Sequence, residues 1–151
     1  MIISFCGHAK FYATKEVRER LLSLLGDLAE DENVIFYLGD HGSFDAFGYS
    51  VCKEYKENHS KARLCFVTPY ITEQYQKKVL PMQEERYDEI IYPDIEDKPL
   101  RFAISYRNKW MVENADVLIC YIDHDWGGAY QAYLHAKRKK KIIYNLSGVD
   151  F

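Results

Sequence analysis

Three short segments of the chain combine glycine with imidazole and carboxylate side chains. They are Cys6-Gly7-His8-Ala9-Lys10, Gly39-Asp40-His41-Gly42-Ser43-Phe44-Asp45 and Asp123-His124-Asp125-Trp126-Gly127-Gly128. Glycine lets a backbone approach a ligand closely, and a helix that starts there offers unpaired N–H groups with partial positive charge. Phosphate is the natural guest of such a turn. None of the three is a Walker A sequence, and G-x-G-x-x-G is absent. Taken singly, each reads as a tight strand-to-helix turn. Three of them at one sheet edge favour a nucleotide-like ligand over that plainer reading.

His8, His41 and His124 stand in these segments beside Asp40, Asp123 and Asp125. The residue types suit a metal, but no H-x-H or H-x-x-x-H spacing fixes two ligands on one element, so no metal is expected. Contact with an organic ligand is the favoured role. Asp45, Asp123 and Asp125 are the carboxylates that could act as acid, base or charge stabiliser if the site turns a substrate over.

The elements that would carry these segments alternate. Strand candidates are Ile2–Phe5, Val34–Leu38, Arg63–Thr68, Glu89–Tyr92, Asp116–Ile122 and Lys141–Asn145, most of them unbroken apolar runs suited to burial on both faces. Between them lie helical stripes. Val17, Leu21, Leu22, Leu24, Leu25 and Leu28 form the first, with Thr14 as N-cap. Ser43 is the expected cap of the second, whose apolar face is Phe44, Phe47, Val51, Cys52 and Tyr55. Residues 71–87 read as a helix that Pro81 must break or kink, and residues 93–99 as a loop. Arg101–Asn114 and Gly128–Lys139 are the last two helices. The pattern predicts an α/β fold: a Rossmann-like, doubly wound, mainly parallel sheet with helices on both faces. Ligands of such sheets bind beyond the carboxyl ends of the strands, where all three glycine segments fall.

Arg107 lies on the helix before the fifth strand. About eight residues before the turn at Asn114-Ala115, it stands ~12 Å up from the bottom edge at ~1.5 Å per residue. Its guanidinium is expected to reach the ligand edge and clamp phosphate or stack on a base. The alternative is a surface arginine paired with Glu113 or a neighbouring helix.

The 151 residues amount to about one domain, residues 1–151, at the usual ~150 residues per domain. Twenty Lys and Arg against 23 Asp and Glu give a net charge of −3, without overall attraction to nucleic acid or anionic membrane. The run Lys137-Arg138-Lys139-Lys140-Lys141 reads as a solvated helix end favoured by the dipole. Four scattered cysteines without a C-x-x-C pair fit a reducing cytoplasm. The apolar start is too short for a signal h-region, and the longest internal apolar run is far below the ~20 residues of a membrane span.

One resemblance is specific. Tyr106-Arg107-Asn108-Lys109-Trp110-Met111-Val112-Glu113-Asn114-Ala115-Asp116-Val117-Leu118-Ile119-Cys120-Tyr121, then Gly127-Gly128-Ala129, then Lys141-Ile142-Ile143-Tyr144-Asn145-Leu146 resembles the SLOG superfamily. That Rossmann-like group contains YpsA-like proteins, the DNA-processing protein DprA and the LOG cytokinin-activating enzymes. Gly7-His8 is similar to the Gly-His after the first YpsA strand, and Gly42-Ser43-Phe44-Asp45 to its Gly-x-x-Asp after the second. The resemblance implies a cytoplasmic, YpsA-like protein that binds or senses a nucleotide-derived ligand such as an ADP-ribose-like molecule. Its pocket would comprise Gly7, His8, Gly39, Gly42, Ser43, Asp45, Arg107, Asn108, Trp126, Gly127 and Gly128, with Asp45 accepting a ribose hydroxyl.

LOG enzymes carry a glutamate in Pro-Gly-Gly-x-Gly-Thr-x-x-Glu, where this chain has Gln131 or Ala132. Neither is a carboxylate. Cleavage or transfer at an N-glycosidic bond, LOG-like or deoxyribosyltransferase-like, is therefore the second reading, with Asp45, Asp123 or Asp125 replacing the glutamate. A DprA-like nucleic-acid or protein interaction module is the third and least favoured reading; no cofactor is certain, no membrane is expected, and nucleic acid is not the expected partner. A homodimer is an expectation from the resemblance alone.

Overall fold

A computed structural model describes residues 1–29 and 33–151. Six strands form one sheet: β1 Ile2–Gly7, β2 Ile35–Leu38, β3 Arg63–Val67, β4 Glu89–Ile91, β5 Val117–Tyr121 and β6 Ile142–Asn145. Their order is β4-β3-β2-β1-β5-β6, and every neighbouring pair is parallel. The chain thus winds outward from β1 to β4, then returns to the other side of β1 for β5 and β6. Strand order reverses between β1 and β5. This α/β, Rossmann-like architecture is the one the alternating sequence pattern predicts.

Six helices connect the strands: α1 Lys15–Leu28, α2 Ser43–Glu57, α3 Glu73–Lys78, α4 Leu80–Arg86, α5 Ala103–Glu113 and α6 Gly128–Arg138. Residue alternation along the strands feeds apolar clusters on the two faces of the sheet. Ile3 and Phe5 of β1, Phe36 and Leu38 of β2, and Val117 and Ile119 of β5 pack with Leu21 and Leu25 of α1 and Phe44, Phe47 and Val51 of α2. Their neighbours Cys6, Leu118 and Cys120 meet Val112 of α5 and Ala132, Tyr133 and Ala136 of α6 on the opposite face. Burial on both faces explains why the strands read as continuous apolar runs.

Thr14 caps α1 by accepting from Val17 N at 3.2 Å. Three local expectations are corrected. Ser43 is not a cap: Gly42 holds that position, and Ser43 is the first helical residue. The helix expected over residues 71–87 is two, parted at Val79, with Pro81 in the first turn of α4, where its missing N–H costs nothing. The helix expected from Arg101 opens instead as a 3-10 turn, Leu100–Phe102, before α5. The basic run ending α6 ties elements together: Lys141 Nζ donates to the carbonyls of Glu113 and Ala115 beyond α5, and Lys139 pairs with Glu113. Among the described residues no helix is long and apolar enough to cross a membrane.

Candidate functional site

The sheet's reversal point opens a cavity of about 430 Å³, within the range of small-molecule sites. Residues after β1 supply Gly7, His8, Ala9 and Lys10, and residues after β2 supply His41 and Asp45. Ile104 and Asn108 come from α5, and His124, Trp126, Gly127, Gly128 and Ala129 from the β5–α6 connection. β1 and β5 run in register up to Gly7 opposite Tyr121, so the loops that follow them must meet.

The β5–α6 turn is the open side. Gly127 takes φ +93°, a conformation reserved for glycine, and a Cβ on either Gly127 or Gly128 would meet nothing within 4 Å. The first turn of α6 carries no acidic residue and no side-chain cap. Its leading N–H groups therefore face the cavity rim with their partial charge uncompensated. Above them three rings stack. His8 and His124 lie 3.5 Å apart at an interplanar angle of 10°, and Trp126 covers the other face of His124 at 3.8 Å while itself 65% exposed. Lys10 adds an exposed cation.

Among the described residues Asp45 is the one carboxylate on the cavity wall. It is 7% exposed, and burial pushes its pKa up to about 7 against the backbone N–H of His41, which donates to Oδ2 at 2.8 Å, and the charge of Arg107. A carboxyl poised there can both give and take a proton at neutral pH. Burial also lowers the pKa of His8, with nearby His124 acting in the same direction. Cys6 lies on the floor, where burial pushes its thiol up to about 12 and keeps it protonated.

The sequence-predicted residues divide into two groups. Gly7, His8, Asp45, Asn108, Trp126, Gly127 and Gly128 converge on the cavity. Gly39, Gly42, Ser43 and Arg107 are not among the lining residues. Arg107 does reach the carboxyl edge of the sheet, but it is 1% exposed and Nη1 donates to the carbonyls of Gly39 (2.9 Å) and Val67 (2.8 Å). Nε donates to Asn108 Oδ1 at 2.9 Å. Its guanidinium joins the ends of β2 and β3, and a Cβ on Gly39 would lie 2.9 Å from Cζ, so that glycine makes room for arginine. Ser43 Oγ is equally occupied, donating to the carbonyls of Ala9 and Phe11 and accepting from Phe11 N.

Asp123 and Asp125 stand outside the cavity lining. Asp123 instead reaches His124 Nδ1 at 2.7 Å and His8 Nε2 at 3.4 Å. Lys10, His41 and His124 line the cavity too. The sequence favoured ligand contact for the two histidines but did not single out Lys10, whose place beside Gly7-His8 in the first strand-end loop was the signal that could have found it.

No protein-family model and no curated protein sequence matches the chain. Solved structures do. DNA processing protein A (DprA) from Streptococcus pneumoniae superposes with TM-score 0.59 at 11% identity, over 93% of this chain and 48% of that one. DprA from Helicobacter pylori, described for its single-stranded DNA binding mode, superposes with TM-score 0.61 at 16% identity, over 95% of this chain and 63% of that one. The fold is DprA-like. The chain spans about half to two thirds of those structures' length. Setting nucleic acid aside as a partner does not stand, because a protein with this fold binds single-stranded DNA. Net charge could not exclude such a partner, since strand binding needs only a locally positive groove and stacking rings.

Proposed function

We propose that the chain is a nucleotide-binding domain whose cavity takes a phosphorylated nucleotide, with phosphate at the α6 N-terminus and the base against Trp126. The observation that carries this reading is the pairing of an unfilled, uncompensated helix start with an exposed tryptophan on the rim of one cavity. Anions suit the first and flat rings the second. Asn108 and Asp45 offer polar contacts from the opposite wall, with Asp45 placed for a ribose hydroxyl. The SLOG resemblance of the Arg107-Asn108 helix and the Gly127-Gly128 turn supports an ADP-ribose-like ligand of the YpsA kind.

The exposed rim supports a second reading, in which the nucleotide belongs to a single strand whose neighbours run past Trp126. The DprA of Helicobacter pylori lends support, since it binds single-stranded DNA. N-glycosidic cleavage would fall to Asp45, because Asp123 and Asp125, the other candidate carboxylates, are off the cavity wall.

Calorimetry with AMP, ADP, ADP-ribose and a short single-stranded oligonucleotide tests these readings together. Binding of a free nucleotide that Trp126→Ala weakens by ~1–3 kcal/mol, the usual worth of one stacked base, is expected. If the oligonucleotide alone binds, the strand reading replaces the free-nucleotide reading. If nothing binds at millimolar concentration, the site is not a nucleotide site. Free base released from AMP by the wild type and not by Asp45→Asn would make the chain an N-glycosidase.

A further inference from the structure

We propose that His8, Asp123 and His124 form a binding site for one divalent transition-metal ion of the zinc class at the mouth of the cavity. Two imidazoles and a carboxylate each offer one ligand atom, and the three atoms lie within 4.8 Å of one another. Four ligands at the ~2.0–2.1 Å of zinc bonds in a tetrahedron stand about 3.3 Å apart. Here Asp123 Oδ1 lies 3.4 Å from His8 Nε2 and 2.7 Å from His124 Nδ1. The nitrogen and oxygen atoms are spaced for an ion, and the two stacked rings would have to turn and part to aim their lone pairs at it.

Sequence spacing hides the cluster, because one ligand follows β1 and two follow β5, and only the pairing of those strands joins them. The ligands are also held in place. His8 is buried, and the His124 ring is clamped between His8 and Trp126. The ion would displace the long hydrogen bond from Asp123 N to His8 Nε2, 3.2 Å, and the proton that His124 shares with Asp123. A set of two histidines and one carboxylate leaves coordination positions open. His8 and His124 line the cavity, so a water or an anionic oxygen can approach the ion from there. Use of that position by a phosphate would rest on the nucleotide reading, whereas the metal site itself does not.

The test uses the full chain, stripped with a chelator and dialysed, and titrated with zinc alone by calorimetry. Cobalt(II) provides a second probe through its visible absorption. One zinc per chain is expected, with cobalt absorption characteristic of nitrogen and oxygen ligands. Asp123→Asn and His124→Ala, both at the surface, should each lower zinc affinity by at least the roughly 10–100-fold that loss of a mere supporting partner costs. His135→Ala, which removes the other histidine–carboxylate pair, with Glu113, should leave it unchanged. Affinity no better than ~1 mM, affinity that ignores Asp123 and His124, or a cobalt spectrum unchanged from the aqueous ion would overturn the proposal.

Discussion

The starts of α2 and α6 are built alike and used differently. Each opens on a glycine in the same backbone conformation, φ +94° at Gly42 and φ +93° at Gly127, and each follows a central strand. At α2 the protein fills the space itself. A Cβ on Gly42 would lie 2.5 Å from Ala9 Cα, Ser43 N donates to the Ala9 carbonyl at 2.9 Å, and Asp45 places a carboxyl in the first turn. At α6 a Cβ on either glycine would meet nothing within 4 Å, and the first turn holds no acidic residue and no side-chain cap. One glycine turn is a packing device and the other an opening. The difference comes from the loop after β1, which folds over α2 and leaves α6 uncovered.

Alanine at Gly42 should produce the largest effect. The conformation costs a non-glycine residue about 1–3 kcal/mol, and pressing a methyl into the Ala9 backbone adds about 1–3 kcal/mol. Urea unfolding should register a loss of about 4 kcal/mol. An equal, small loss at Gly42 and Gly127 would erase the contrast between the two turns.

The carboxyl within α2 makes the next prediction. Asp45 has its pKa raised from 3.8 to about 7 in the folded protein, so the native state holds a proton that the unfolded chain gives up. A raised carboxyl pKa contributes stability below pH ~4 that is lost as pH climbs to ~7, about 4 kcal/mol at ~1.4 kcal/mol per pH unit. Unfolding measured from pH 4 to pH 7.5 should show that decline in the wild type and a flatter profile in Asp45→Asn. Identical slopes would place the titrating group elsewhere.

Gly127→Ala should cost less than Gly42→Ala, about 1–3 kcal/mol from backbone strain alone, because its methyl has open space. Thermal denaturation of the two variants side by side checks the order. A Gly127 loss as large as that at Gly42 would mean that the α6 turn is packed.

Much of this was legible in the residues. The apolar runs of β1, β3 and β5 and the Thr14 cap mark the βα alternation, and placing glycine loops at the carboxyl edge located the cavity. What the sequence could not show was which loops face each other. Arg107 sits at the predicted height, yet its guanidinium turns toward the carbonyls of Gly39 and Val67, a choice made by strand ends forty and sixty-eight residues away. Ser43 reads as a helix cap because its neighbours do, but the hydroxyl is taken by Ala9 and Phe11. His8 and His124 stack across 116 residues of chain, a contact no local spacing encodes.

The central claim, that the α6 turn binds a nucleotide phosphate while the matching α2 turn does not, is tested most directly by amide shifts. In a ¹⁵N-labelled sample titrated with AMP, the Gly128 and Ala129 amides should move saturably while those of Ser43 and Phe44 stay in place. Equal movement at Ser43, or no movement at Gly128 at millimolar AMP, would contradict it.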